Sequence, residues 1–297
     1  MAHDNMHALV VEVRKGGSPN LVQKSIPLPA LASNQVLVKV ATVAQNPTDV
    51  QAFDTNYFDD GAVLGCDFAG TVEAVGSDVT RVSKGDTIAG LIWGGEIKGV
   101  GAYSEYTIAD ESICFKVPAS ISVTQAAAIP LAALTSWLAL FSKDSLDIDR
   151  NAGSDATILI WGGSSSVGLY AIQIAALHGF NIVTTCSPRH FERVQLLGAK
   201  HAFDYRDPNI VQLINDAAPG LAYVFDTIGN ETSSVLASQA VDERGAEFCE
   251  KLPALIEEGK IKPTDIRVVP GGLEGVAAGF QEHRDGKISA TKLVYEL

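Results

Sequence analysis

The sequence feature that most constrains the fold is a glycine-rich loop at residues 162–168, which reads Gly-Gly-Ser-Ser-Ser-Val-Gly. An apolar strand pattern at 157–161 precedes the loop, and an apolar helical pattern at 167–178 follows it. In this setting, glycines let the backbone approach a pyrophosphate, and the helix N-terminus supplies N–H donors. The loop therefore predicts a dinucleotide site, although an ordinary strand-to-helix turn is the alternative. The expected cofactor contacts are Gly163, Ser164, Ser165, Ser166 and Val167.

The alternation of strand and helix continues beyond the loop. Apolar strands are predicted at 181–185, 201–203 and 223–225, with a helix at 191–197 between the first two. Strands that alternate with helices at this spacing form a parallel, doubly wound sheet. This part of the chain is therefore predicted to be a Rossmann domain.

The rest of the chain has a different pattern. Short alternating strands separated by turn residues cover residues 8–118 and predict an all-β, barrel-like unit. A buried helix is predicted at 125–141, and Pro130 should break or kink it. Strands near the C-terminus would complete the barrel. We therefore assign residues 1–122 and 266–297 to one domain and residues 123–265 to the dinucleotide-binding domain.

Composition limits the partners that we expect. The formal net charge is −13 and the pI about 4.8, whereas nucleic-acid binding requires clustered Lys and Arg. Four scattered cysteines without a CxxC pair favour buried, free thiols in a reducing compartment. No apolar run approaches the roughly 20 residues that span a bilayer, and no secretory signal is evident. We expect a soluble, cytoplasmic protein that binds neither nucleic acid nor membranes.

The residues after the second Rossmann strand indicate which cofactor is bound. An NAD-dependent enzyme places Asp or Glu there, against the ribose 2′-hydroxyl, and this chain has none. It has Ser187, Pro188, Arg189 and His190 instead, which offer a hydroxyl and cations to a 2′-phosphate. The segment therefore favours NADPH. The alternative is that Arg189 and His190 are the solvated start of the next helix.

Several stretches together resemble the medium-chain dehydrogenase/reductases, above all their zinc-free enoyl and quinone reductase branch. Besides the phosphate loop, the resemblance rests on 46–49 (Asn-Pro-Thr-Asp), 65–70 (Gly-Cys-Asp-Phe-Ala-Gly), 101–106 (Gly-Ala-Tyr-Ser-Glu-Tyr), 127–130 (Ala-Ala-Ile-Pro) and 292–294 (Lys-Leu-Val). It covers nearly the whole chain. It implies an α/β fold, with a Rossmann doubly wound parallel sheet and a GroES-like β-barrel domain.

The resemblance also implies that no metal is bound. Zinc-dependent members carry a Cys-His pair where this chain has Asn46 and Pro47, and Gly-His-Glu where it has Gly65, Cys66 and Asp67. Without a Lewis acid, the alkoxide formed by carbonyl reduction lacks its usual stabilisation. Hydride addition to an enoyl group instead forms an enolate, which hydrogen-bond donors and one proton source can stabilise. Enoyl reduction is therefore the leading reaction.

Within the family, the sequence is most similar to the fungal trans-acting enoyl reductases that serve polyketide synthases. Those enzymes commonly have Lys two residues after Asn-Pro-Thr-Asp, where this chain has the neutral Gln51. The resemblance implies a small-molecule or carrier-bound enoyl substrate and a polyketide synthase as partner. It also implies cofactor contacts near the nicotinamide from Thr48, Asp49, Val50, Gln51 and Thr135, near the adenosine phosphate from Tyr205, and elsewhere from Ile228 and Gly229.

Tyr57 resembles the position of a proton-donating tyrosine in related enoyl-thioester reductases. Its phenol would stabilise the enolate or protonate the α-carbon. A tyrosine that packs in the core or lies at the solvent edge is the alternative interpretation.

The parallel sheet is expected to continue after residues 223–225, because the six-stranded order of this fold needs two more strands. Instead, Gly245 is followed at once by a helical stretch at 246–252, which family members reach several tens of residues later. Either the natural protein carries further residues between Gly245 and Ala246, which we favour, or the chain is shortened and its fourth strand is an unpaired edge.

Three functions are consistent with the sequence. An NADPH-dependent enoyl reductase is the leading hypothesis, and an NADPH quinone oxidoreductase is its nearest enzymatic rival. A non-catalytic NADPH-binding protein is the third, because the sheet is short and position 51 is not Lys.

Overall fold

A computed structural model describes residues 4–14, 17–229 and 243–297. These residues form two compact units. Of the described residues, those within 1–131, 249–257 and 263–297 form the first unit, and those within 132–248 and 258–262 form the second. The fold class predicted from the sequence, a Rossmann sheet plus a GroES-like barrel, is confirmed.

The first unit is built mainly of β-strands. Its strands are β1 (Asn5–Val13), β2 (Pro19–Pro27), β3 (Gln35–Ala44), β4 (Asp67–Val75), β5 (Thr87–Leu91), β6 (Tyr106–Asp110), β7 (Cys114–Lys116), β12 (Asp265–Val268) and β13 (Thr291–Glu296). Its helices are α1 (Pro47–Asp54), α2 (Val123–Ala127) and α8 (Val276–Arg284), together with the first two residues of α3 (Pro130–Phe141) and the second part of α7 (Glu243–Glu257).

Two sheets are seen in this unit. β1 and β2 form an antiparallel hairpin, and the larger sheet has the order β12-β13-β3-β4-β5-β7, with β6 also paired to β3. Because β13 pairs with β3, a strand near the C-terminus completes the unit, as predicted. Alternating side chains of these strands fill the core, where Phe68, Tyr103 and Tyr295 are fully buried.

The second unit contains the parallel sheet. It comprises most of α3, β8 (Thr157–Trp161), α4 (Ser166–Leu177), β9 (Asn181–Thr185), α5 (Phe191–Leu196), β10 (His201–Phe203), α6 (Ile210–Ala217), β11 (Tyr223–Asp226) and the start of α7. The strand order is β10-β9-β8-β11, and every pairing is parallel. Continuous apolar runs such as Thr157–Trp161 are buried on both faces, as the strands of a parallel sheet must be.

Two helix predictions are corrected. The predicted helix 125–141 is divided into α2 and α3, and α3 begins at Pro130 as the expected break requires. The stretch 8–118, predicted to be all β, contains α1. Pro47 occupies the first turn of α1, and the Asp49 carboxylate accepts a hydrogen bond from the N–H of Asn46 (2.8 Å).

Gly245 and Ala246, between which missing residues are expected, both lie within helix α7. Just after them, Phe248 stacks on Trp137 (ring centroids 4.7 Å apart), and Glu247 forms an ion pair with Arg150 (2.9 Å). Within the described ranges, β11 pairs with β8 alone, while residues 230–242 lie outside those ranges. The position of the gap remains a prediction.

Candidate active site

The phosphate loop lies at the carboxyl end of β8, where Trp161 is followed by Gly162. Gly162 has φ +86°, a left-handed conformation that favours glycine. Helix α4 starts at Ser166, and the hydroxyl of its N-cap, Ser165, accepts a hydrogen bond from the N–H of Gly168 (2.9 Å). The sequence thus forms the strand–turn–helix that a phosphate site requires.

Close packing explains why glycine is needed at two further positions. A β-carbon on Gly163 would lie 2.0 Å from Oγ1 of Thr184, and one on Gly168 would lie 2.4 Å from the carbonyl oxygen of Gly162. Neither distance is possible for real atoms. The loop therefore rests directly on β9 and on the first turn of α4.

Hydrogen bonds tie the loop to the neighbouring strands. The N–H of Gly162 donates to Oγ1 of Thr185 at the end of β9 (3.1 Å). Thr227, just after β11, donates through Oγ1 to the carbonyl oxygen of Trp161 (2.9 Å) and lies 2.7 Å from Oγ of Ser165. A β-carbon on Gly162 would also clash with the side chain of Ile228. Ile228, which was predicted to contact the cofactor, therefore lies against the loop.

The loop has donors for a pyrophosphate. The first bond of α4 runs from the N–H of Leu169 to the carbonyl oxygen of Ser165 (2.9 Å). The N–H groups of Ser166 and Val167 precede it, and such first-turn donors have no acceptor within the helix. Together with the helix dipole, they suit an anion, so the residues present fit a dinucleotide.

The segment expected to bind the adenosine phosphate follows β9. Pro188–His190 form one 3₁₀ turn, in which Nε of Arg189 lies 3.2 Å from Nε2 of His190. Burial lowers the pKa of His190, and the positive charges of Arg189 and Arg193 lower it further. Arg193, in α5, was not predicted from the sequence, although its place one turn after Arg189 was a usable signal.

Tyr205 lies after β10, at the same end of the sheet. The N–H of Cys186 donates to the carbonyl oxygen of Phe203 (3.0 Å), which aligns the ends of β9 and β10. Tyr205 is 47% exposed, and the Arg206 guanidinium lies 5.3 Å from the centre of its ring. Arg206 also forms an ion pair with Asp204 (3.0 Å), so its charge is already partnered beside the tyrosine that the sequence singled out.

The predicted residues 48–51 lie on α1, in the first unit. Oγ1 of Thr48 is buried without a hydrogen-bond partner among the described residues, which is costly unless another group binds it. Val50 is buried and Gln51 is half-buried. A polar ligand bound at α1 would supply the hydrogen-bond partner that the Thr48 hydroxyl lacks among the described residues.

Asp49 is a fully buried carboxyl. It accepts hydrogen bonds from the N–H of Asn46 and from the hydroxyl of Tyr103 (3.0 Å), and the Cys66 thiol also bonds to it. Burial raises the pKa of Asp49 to about 6, and the nearby charge of Asp67 adds to the rise. Asp49 is therefore partly protonated near neutral pH.

The remaining predicted residues are Thr135, Gly229 and Tyr57. Thr135 is buried in α3, in the second unit, with 3% of its surface exposed. Gly229 donates its N–H to the carboxylate of Asp226 (3.3 Å). Tyr57 is 72% exposed and packs edge-on against Phe58 (4.8 Å), so it lies at the solvent edge, which was one of its two alternative interpretations, and not in the core.

The described residues contain no group of three His, Cys, Asp or Glu placed to hold a metal ion. All four cysteines are free and buried, as predicted. No helix in the described part of the chain is long and apolar enough to cross a membrane.

Comparison with known proteins identifies the family. The alcohol dehydrogenase GroES-like domain matches residues 32–119, and the zinc-binding dehydrogenase domain matches residues 166–248. The trans-enoyl reductase eqxC of Fusarium heterosporum is 33% identical, covering 91% of this chain and 93% of its own. The chain belongs to the medium-chain dehydrogenase/reductase family.

Other members of the family show the same likeness. The trans-enoyl reductase thnE of Trichoderma harzianum is 37% identical, covering 80% of this chain and 67% of its own. The fold is that of the quinone oxidoreductase from Coxiella burnetii (24% identity, TM-score 0.75, 99% of both chains) and of CurK enoyl reductase (21% identity, TM-score 0.75, 99% of both chains).

The alignment with the Fusarium relative contains positions that this chain does not fill. It extends over 332 positions, more than the 297 residues of this chain. The relative therefore contains residues that have no counterpart in this chain.

We predict that Asp49 makes stability depend on pH. Its folded pKa of about 6 lies above the usual value of about 3.9, so the native state prefers the protonated carboxyl. That contribution is fully present below the unfolded pKa and is lost as the pH rises through 6. Between pH 7 and pH 5, the wild type should gain about 1 kcal/mol relative to Asp49→Asn, whose amide does not titrate.

Urea unfolding of both proteins at several pH values measures this difference. Asp144→Asn, at an exposed site, is the control and should follow the wild type. A constant difference between wild type and Asp49→Asn over this pH range would contradict the prediction.

Proposed function

We propose that this protein is an NADPH-dependent reductase that transfers hydride to the β-carbon of an α,β-unsaturated substrate in polyketide or related secondary metabolism. The observation that carries the proposal is the 33% identity with a trans-enoyl reductase over 91% of the chain. The phosphate loop and the basic turn after β9 support the choice of cofactor. Four free, buried thiols suit a reducing, cytoplasmic setting.

Each end of the cofactor has a proposed set of contacts. The helix N-terminus at Ser166 and Val167 holds the pyrophosphate, while Arg189, His190 and Ser187 hold the 2′-phosphate. The hydroxyl of Thr48, which lacks a partner among the described residues, meets the nicotinamide end. Bound NADPH supplies the hydride.

During reduction, the protein must stabilise the negative charge that forms on the enolate oxygen and supply a proton to the α-carbon. When a hydride and its electron pair form the new C–H bond at the β-carbon, the alkene π electrons move into an enolate. Tyr57, whose phenol is largely exposed, either stabilises that oxygen with a hydrogen bond or donates its proton to the α-carbon. The substrate is a small or carrier-bound enoyl compound, and a polyketide synthase is the proposed source of the carrier.

The decisive assay measures NADPH oxidation against a panel of enoyl thioesters and simple quinones. We expect turnover of enoyl thioesters that is unchanged after treatment with a chelator. Turnover of quinones alone would instead assign a quinone oxidoreductase. NADPH binding without turnover of either class would identify a non-catalytic binding protein.

Cofactor preference is tested at Arg189. Arg189→Ala should weaken NADPH binding by roughly 10- to 150-fold, because one charge-assisted phosphate contact is worth about 1.5–3 kcal/mol. NADH binding should hardly change, since NADH has no 2′-phosphate. Cofactor titration by fluorescence measures both constants, with the exposed Arg14→Ala as control. Equal losses for the two cofactors would refute the assignment.

Tyr57 is tested by its conservative variant. Tyr57→Phe should lower kcat by roughly 10²-fold with little change in NADPH affinity, because only proton donation is lost. If water replaces the phenol, the product made in heavy water should carry scrambled label at the α-carbon. Tyr106→Phe, on β6, serves as the matched control. Full rate and stereospecific protonation in Tyr57→Phe would exclude it as the donor.

A further inference from the structure

A buried ion pair lies in the core of the first unit. Asp67, the first residue of β4, is fully buried, and its carboxylate bonds to Nζ of Lys292 on β13, which is 3% exposed. Lys292 also donates to the carbonyl oxygen of Ala128 (3.4 Å). Taking two such charges out of water costs several kcal/mol per ion, so a pair of this kind is weak evidence for a stabilising role. The other hydrogen bonds of the Asp67 carboxylate point to a role other than stabilising the fold.

The same carboxylate binds two other parts of the unit. Its Oδ2 accepts a hydrogen bond from Nδ2 of Asn46 (2.9 Å), and its Oδ1 accepts one from the N–H of Leu131 (2.7 Å). Asn46 is the N-cap of α1, and Leu131 is in the first turn of α3. One side chain therefore joins the starts of two helices to a strand that is distant in sequence.

The chemistry of the three contacts requires a carboxylate. The groups that touch Asp67 are an amide NH₂, a backbone N–H and an ammonium, all of which are donors. An ionised carboxylate accepts only, so it matches them, whereas an amide of the same shape would turn an NH₂ group towards one of the donors. Lys292 supplies the charge that makes a buried carboxylate tolerable.

Helix α1 depends on such anchors. It has eight residues, too few for a stable helix without tertiary contacts. At its C-terminal end, Phe53 packs on Phe280 (5.7 Å) and Asp54 pairs with the exposed Arg284. At its N-terminal end, the side chain of Asn46 is held by Asp67 and by the carbonyl oxygen of Ala44 (3.3 Å).

We infer that Asp67, held by Lys292, is a positioning residue that fixes the N-cap of α1 and thereby the orientation of Thr48 and Gln51. This inference rests on the proposed function, in which those two residues contact the nicotinamide end of the cofactor. Asp67 does not itself touch the reacting atoms. It acts through Asn46.

The test compares variants that break different parts of this arrangement. Asn46→Ala removes one donor but leaves the ion pair intact, whereas Asp67→Asn and Lys292→Met break the pair. Ser104→Ala is the matched control, because Ser104 is a fully buried residue of the same unit whose hydroxyl bonds to carbonyls of Gly101 and Tyr106.

Two kinds of measurement are needed. Hydrogen exchange of the α1 amides is followed in the cofactor-free protein, and the melting temperature reports general damage. NADPH affinity and kcat are then measured with an enoyl thioester. For Asn46→Ala we expect α1 to exchange about 10-fold faster and kcat to fall about 10-fold, because small misplacements at a reacting centre are costly. NADPH affinity should change less, since the adenosine-end contacts lie on other elements.

The outcomes separate the possible failures. Ser104→Ala should lower the melting temperature without selective exposure of α1, which distinguishes positioning from general destabilisation. Wild-type exchange in α1 and wild-type kcat in Asn46→Ala would overturn the inference, as would a loss of protection spread evenly over the unit. If Asp67→Asn and Lys292→Met fail to fold, the measurements on Asn46→Ala still test whether Asp67 positions α1. If the wild type reduces no enoyl substrate, the proposed function fails, while the exchange experiment still judges the anchoring of α1.

Discussion

The second unit depends on the close packing around Gly163 and Gly168. Neither position has room for a β-carbon, so the backbone of the loop lies directly on Thr184 and on the first turn of α4. That contact fixes where α4 begins, and therefore where its free N–H groups lie relative to β9 and β11. Any larger residue would push the helix away and would remove the anion site together with the packing.

A polar interaction has the corresponding role in the first unit. The carboxylate of Asp67 joins β4, β13, α1 and α3. Apolar packing is tolerant of small shifts, whereas this carboxylate requires each donor at a defined distance and direction. The carboxylate thus gives these four elements a common polar contact inside an otherwise apolar core.

The sequence was most informative where the physical signal is local. Continuous apolar runs located β8 and β9, and Pro130 located the start of α3, because these signals act within a few residues. Helix α1 was missed because its mixed polar sequence lacks an apolar stripe, although Asn46, Pro47 and Asp49 form a recognisable helix start. Chain order alone could not pair Asp67 with Lys292, which lies 225 residues away.

The residues that the family resemblance aligns with the zinc-binding segments of zinc-dependent members have hydrogen bonds of their own in this chain. In zinc-dependent members a ligand pair stands at Asn46 and Pro47, and a histidine stands at Cys66. Here, Asn46 bonds to Asp67, and the Cys66 thiol bonds to Asp49. Burial raises the pKa of Cys66, so the thiol stays protonated and can donate. Because both side chains are bound by neighbouring carboxyls, a substitution at either position alters the anchoring of α1. Introducing a cysteine at position 46 or a histidine at position 66 would therefore disturb the anchoring of α1.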